Sequence, residues 1–182
     1  ITTFFNTTMF SRTRIRAMTI RWDIVPVHFI ERQTFEDPWQ PSEFSKRLVG
    51  PDSNHSALVA EYESRVVGYV VYRLASNEIS IRRLAVDEDH RRRGIGTSLI
   101  FGIVELNKAS RESMSIIVDE YDIPAQLFLR KCGFKWDYTL PGKYMGTDRD
   151  KYRLVRAIAE NVRNGMSPVA MGIANQFTNP IQ

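Results

Sequence analysis

The chain has 182 residues with 25 Lys and Arg against 21 Asp and Glu, so its net charge of +4 is a small difference between large numbers. Three of the basic residues, Arg12, Arg14 and Arg16, precede residue 18 and residues 165–182 carry no charge, which leaves 22 basic and 21 acidic groups between them. A dedicated nucleic-acid binder shows a basic face belonging to its folded domain, and a near-neutral body argues against that class while leaving room for a local basic patch.

At 43% hydrophobic and 25% charged the composition is that of a globular protein, of a length that suits one domain. The longest apolar runs, Val66 to Tyr72 and Leu99 to Val104, fall well short of the roughly 18 to 20 residues needed to span a bilayer, so no membrane association is expected. The single cysteine, Cys132, can form no internal disulfide and has no His or Cys companions at metal-ligand spacing, so no metal is expected; a reducing, cytoplasmic setting is compatible with this. Residues 1–17 are Thr- and Arg-rich and acid-free, and read as an extension outside the fold, either a transit segment or sequence upstream of the true start at Met18. Residues 18–160 read as the domain and 161–182 as a tail.

In chain order, Thr19 to Trp22 suits a short strand, and Asp23 is placed to cap a helix from Ile24 to Phe35 with Pro26 in its first turn. Asp37-Pro38-Trp39-Gln40-Pro41 breaks the chain before a second helix, Pro41 to Leu48, ended by Gly50. Ala57 to Tyr62, Arg65 to Leu74 and Glu78 to Asp87 are rich in Val, Ile and Tyr with short connections, the pattern of antiparallel hairpins. From Gly94 to about Lys108 the residues Ile95, Leu99, Ile103 and Leu106 fall at helical spacing. Met114 to Val118 is the next strand, Pro124 to Cys132 a helix stopped by Gly133, and Phe134 to Leu140 and Lys151 to Ile158 a closing pair of strands. The order gives an α/β fold with a mixed, mostly antiparallel sheet, because the strand-helix-strand step over residues 79–118 needs a parallel crossover.

Arg91-Arg92-Arg93-Gly94-Ile95-Gly96-Thr97 stands between a strand and a helix start. The first amides of a helix have no internal partner and its dipole favours an anion there, so this turn can cradle a phosphate; taken alone, Gly-x-Gly also fits a tight turn with solvated arginines. A dinucleotide fingerprint fails because Leu99 stands where the third glycine belongs, and a P-loop fails because no lysine precedes Thr97.

With Leu84-Ala85-Val86-Asp87 before that turn, and Ala125, Leu127-Phe128 and Gly133-Phe134 after it, the sequence resembles the GCN5-related N-acetyltransferase superfamily over residues 18–158. Met18-Thr19-Ile20-Arg21, Ile30 to Glu36, Pro38-Trp39 and Val66-Val67-Gly68-Tyr69 are similar to the RimI-type ribosomal-protein-alanine N-acetyltransferases. The resemblance implies a single domain in which two parallel strands splay apart and hold acetyl-CoA: pantetheine along Leu84, Ala85 and Val86, pyrophosphate on Arg91, Arg92, Arg93, Gly94, Ile95, Gly96 and Thr97, and a further contact at Asp122. It implies an acceptor wall of Glu31, Phe35, Glu36, Trp39 and Tyr144, and as partner a protein N-terminus, possibly that of a small-subunit ribosomal protein. It also implies direct attack by the acceptor amine, so Cys132 is expected in the core.

The family's proton acceptor and donor positions hold Ile117 and Leu129, neither of which moves a proton. Asp119, two residues along the same strand face, and Tyr144 are the replacement candidates. Proton relay by water, acetylation of a small amine or a lysine, and a CoA-binding module without activity are the alternatives. His28, His55 and His90 are scattered and compose no triad.

Overall fold

A computed structural model describes residues 13–158, save 52 and 108–110. Seven strands form one sheet in the order β1-β2-β3-β4-β5-β7-β6: β1 is Thr13–Ala17, β2 His55–Tyr62, β3 Arg65–Leu74, β4 Glu78–Val86, β5 Ser113–Asp119, β6 Lys135–Leu140 and β7 Lys151–Ala157. Every neighbouring pair is antiparallel except β4 with β5. Four helices, α1 (Ile20–Thr34), α2 (Pro41–Leu48), α3 (Ile95–Asn107) and α4 (Ile123–Lys131), complete the expected α/β architecture.

The period-2 alternation of the strands separates two cores. Leu58, Val70, Ile79, Ile81 and Met114 pack with Leu99, Ile103 and Leu129 on the α3 and α4 side. Val59, Tyr69, Val71 and Ala85 pack with Val27, Ile30 and Phe44 on the α1 and α2 side. The tight turn from β2 to β3 uses Glu63 and Ser64, both at positive φ (48° and 63°), a backbone whose twist matches the flanking strands.

The beginning of the chain departs from expectation. The first strand is Thr13–Ala17, not Thr19–Trp22, and it lies within the segment expected to fall outside the domain. Its one inward residue, Ile15, is 3% exposed, and the strand pairs with β2 from Thr13 opposite Tyr62 to Ala17 opposite Leu58. Thr19 to Trp22 instead opens α1, so Pro26 lies seven residues into the helix; the amide it lacks leaves the carbonyl of exposed Trp22 to water. Asp23 is no cap but a first-turn residue whose carboxylate accepts the Thr19 amide at 2.7 Å. The expected tail, 161–182, and residues 1–12 lie outside the described residues.

The feature that makes a site is the limited contact of β4 with β5. Their parallel register runs only from Glu78 opposite Ser113 to Ile81 opposite Ile116. One residue later β4 carries a bulge: Tyr72 of β3 faces Ile81 and Val71 faces Arg83, leaving Arg82 without a partner. An extra residue bends and over-twists its strand. Past it β4 stays with β3 up to Val86 while β5 stays with β7 up to Asp119, so the two strands part.

Candidate active site

The edge of β4 facing this gap can be read from alternation. The Asp87 amide donates to Val67 O on β3, and the Val86 carbonyl accepts from Arg91 Nε at 3.0 Å rather than from β3. Successive residues of a strand present their backbone groups to opposite sides, so Arg83, Ala85 and Asp87 serve β3 while the amides of Leu84 and Val86 face the gap. Their side chains pack on the α3 side and Ala85 on the α1 side, so all three expected cofactor-contacting residues line the parted strand.

The cradle stands at the rim. Arg92 (φ 63°) and Gly94 (φ 79°) both take the left-handed conformation, turning the chain from β4 into α3. Ser98 donates the first helical bond, to Gly94 O, so the amides of Ile95, Gly96 and Thr97 precede the helical ladder. A Cβ on Gly96 would stand 3.0 Å from Cζ of Phe128, so the α4 ring backs the cradle and any side chain added there must push that ring aside. Donors at a helix start, a backbone concavity and exposed Arg92 and Arg93 fit a pyrophosphate. Arg91 is exposed too, yet its Nε is spent on Val86 O, tying the cradle to the end of β4.

Thr97 is half-buried with Oγ1 3.9 Å from Cys132 Sγ. Burial pushes that thiol up, as expected of a core cysteine rather than a nucleophile. Asp122 caps α4 by accepting the Ala125 amide at 3.0 Å, so one of its oxygens is committed to the helix.

On the opposite face Ser115, Ile117 and Asp119 alternate along β5. Ile117 is exposed, and Asp119 Oδ1 accepts the Tyr121 amide at 2.9 Å. Leu129 is 1% exposed and packed in the core, as an apolar side chain at that position should be. Tyr144 lies in a short 3-10 turn, Gly142–Tyr144, of the β6–β7 loop with most of its ring in solvent.

The expected acceptor wall is centred on a residue that does not touch solvent. Glu31 is 0% exposed: its carboxylate receives the Tyr69 hydroxyl and the Trp39 amide (2.9 Å) and lies 3.2 Å from Arg83 Nε. Burial pushes its carboxyl up, against the lowering pull of the Trp39 amide and of Arg83. Glu31 is therefore placed to brace Trp39 from behind and cannot itself form the surface of such a wall, because the apolar packing of Ile30 and Phe44 encloses it. Arg83, which the sequence did not single out, lies over both Phe35 (4.4 Å) and Trp39 (4.7 Å). Its signal was a charge inside an apolar strand directly before Leu84-Ala85-Val86. Glu36 pairs at 3.3 Å with Arg149 of the β6–β7 loop, which links the α1 end of the wall to the loop bearing Tyr144.

Among the described residues no group of three or more His, Cys, Asp and Glu could hold a metal, and no helix is long and apolar enough to cross a membrane. The profile of the Acetyltransferase (GNAT) family matches residues 24–134. A candidate ribosomal protein bS18-alanine N-acetyltransferase of Bacillus subtilis (strain 168) is 28% identical over 130 residues, 70% of this chain and 83% of that one. The crystal structure of the ribosomal-protein-S18-alanine N-acetyltransferase of Escherichia coli superposes with a TM-score of 0.70 at 17% identity, over 80% of this chain and 94% of that one. Arabidopsis thaliana NAA60 in complex with acetyl-CoA gives 0.68 at 20% identity, over 81% and 99%. Strand order, parted parallel pair and matched profile agree, and the chain belongs to the GNAT family of acetyl-CoA-dependent N-acetyltransferases.

Proposed function

We propose that the chain transfers an acetyl group to the α-amine of a protein N-terminus, an alanine of a small-subunit ribosomal protein being the first acceptor to try, in the cytoplasm. The observation that carries the reading is the end of β4–β5 pairing at Ile81 and Ile116, which leaves the Leu84 and Val86 amides facing a gap that opens toward the α1 wall on one side and the α3 cradle on the other. The name of the Bacillus subtilis relative supports the choice of acceptor.

Acetyl-CoA, when bound, supplies an activated thioester that an amine can attack directly. The amides of Ile95, Gly96 and Thr97 would hold its pyrophosphate and those of Leu84 and Val86 would align it, with the Val86 N–H placed to polarise a carbonyl in the gap. Asp119 takes the proton that the amine sheds, through water, and Tyr144 returns one to the departing thiolate, so that one N–C bond forms as one C–S bond breaks. Phe35 and Trp39 position the acceptor backbone.

Thiol release measured on an array of peptides with free and blocked N-termini tests this. Turnover confined to free α-amines is the expected result. Turnover on lysine side chains or small amines alone overturns the acceptor class, and loss of the thermal shift with acetyl-CoA overturns the site.

A further inference from the structure

The α1 side of the sheet carries a second charged feature that the acetyl-donor site does not use. His55 of β2 stands opposite Arg73 of β3, and Arg73 opposite Ser80 of β4. Tyr69 and Val71 face the α1 and α2 core, so by alternation Arg73 projects from that same face just past the packed cluster. The bulge sets Arg82 next to Arg83, and α2 contributes Arg47, whose guanidinium lies 4.3 Å from the Trp39 ring centre. Lys46, Arg47 and His55 share a concavity with Glu43 between α2 and β2.

These cations feel one another. Burial and then Arg73, Arg47 and Arg83 all push the Arg82 guanidinium down, and burial followed by Arg47, Arg82 and Arg73 does the same to His55. Arg47 lies 3.7 Å from Glu43, whereas the guanidinium groups of Arg73 and Arg82, both exposed residues, make no hydrogen bond or ion pair with any described residue. Glu31 offsets Arg83 and Glu43 offsets Arg47, but no described carboxylate pairs with Arg73 or Arg82, and their mutual repulsion is relieved when an anion settles between them.

Its place says which anion. The row starts at Arg83 in the acceptor wall and runs away from the gap over β3 toward β2 and α2. Three strands span about 10 Å, the reach of three or four extended residues. We propose that this row reads carboxylates in the acceptor, so that the enzyme selects N-termini followed within about two to six residues by aspartate or glutamate. The inference rests on the N-terminal-amine reading given above. The row is too short to track a nucleic-acid backbone over several phosphates, and the rest of the domain adds no net positive charge to help it.

The test is kcat/KM for the full chain on peptides that share an N-terminal alanine and differ at positions two to six by acidic, neutral or basic side chains. Acidic peptides are expected to exceed neutral ones by roughly tenfold, through KM, with the advantage shrinking as salt rises. Arg73→Ser with Arg82→Ser should reduce the acidic-to-neutral ratio to about twofold or less, and Arg73→Lys with Arg82→Lys should keep most of it. Both residues are exposed, and an unchanged thermal shift with acetyl-CoA verifies that the variants fold around the cofactor. Equal rates on all peptides overturn the inference and leave the acceptor class standing. No turnover on any peptide beside a normal thermal shift overturns both. Inhibition by a single-stranded RNA oligonucleotide without any peptide preference assigns the row to nucleic acid and overturns it too.

Discussion

Arg16 grips Asp23 with two hydrogen bonds, 2.7 and 2.9 Å, and reaches Glu61 at 2.8 Å with its remaining Nε. The clamp joins the edge strand β1 to the first turn of α1 and to β2. Burial pushes the Asp23 carboxyl up, but Arg16 and the Thr19 amide hold it below the usual carboxylate range.

Arg16→Ala leaves a carboxylate whose side chain is 3% exposed without its cation. The expected loss is about 2–3 kcal/mol, under the figure for a fully buried pair because Arg16 is partly open to water. Urea unfolding should show a lower midpoint at unchanged slope. Because the folded carboxyl lies below its unfolded value, the clamp's contribution is present above the unfolded pKa and fades as pH falls through the folded one, so the gap between wild type and variant should narrow in acid. Removal of residues 1–17 should cost more, since it also bares the β2 edge to aggregation.

Glu31 gives the opposite sign. Its carboxyl holds a proton more tightly in the folded protein than the ordinary value of 4.5 allows, so its contribution is full below that value and is lost as pH rises through the folded one. Glu31→Gln cannot titrate and keeps an oxygen for the Trp39 amide. The stability of the Glu31→Gln variant relative to wild type should climb as pH rises above 4.5, and a flat difference would refute the burial argument.

Gly96→Val should abolish the thermal shift with acetyl-CoA, because the added carbons meet the Phe128 ring and fill the cradle. Gly96→Ala should weaken binding partially, and Phe128→Leu added to it should recover part of the loss by withdrawing the ring edge; independent, additive losses would show that the ring is not the obstacle.

Asp119→Asn keeps an acceptor for the Tyr121 amide and removes a proton acceptor. It should lower kcat by a factor of about 10² to 10⁴, with Tyr144→Phe lowering it less. If both variants turn over like wild type, water carries the proton unaided.

The cradle, the parallel step and most elements were legible because each rests on local chemistry: glycines and arginines at a helix start, apolar spacing along α3, the Val-rich run of β3. What stayed hidden depends on distant partners. Thr13–Ala17 looked like an arm because its two arginines, directly after Arg12, read as solvated, and only β2 and Asp23 show that Arg16 is held. Glu31 looked like a wall residue because nothing in its neighbourhood along the chain announces Tyr69 and Arg83, 38 and 52 positions away. Arg82 was silent for the same reason, since a bulge is a property of two strands and not of one.

That unpaired residue ties two specificities to a single backbone event. By bending β4 it leaves the Leu84 and Val86 amides facing the gap proposed for the donor, and by standing out of register it would present a guanidinium to the proposed acidic acceptor. Deleting Arg82 would not simply subtract a charge: Ile81 and Arg83, which already face Tyr72 and Val71, would become consecutive, and the bend that parts β4 from β5 would relax. Of the three register shifts in the described sheet, this is the one at which the donor gap and the proposed acceptor row meet, so a change made there for one would reach the other.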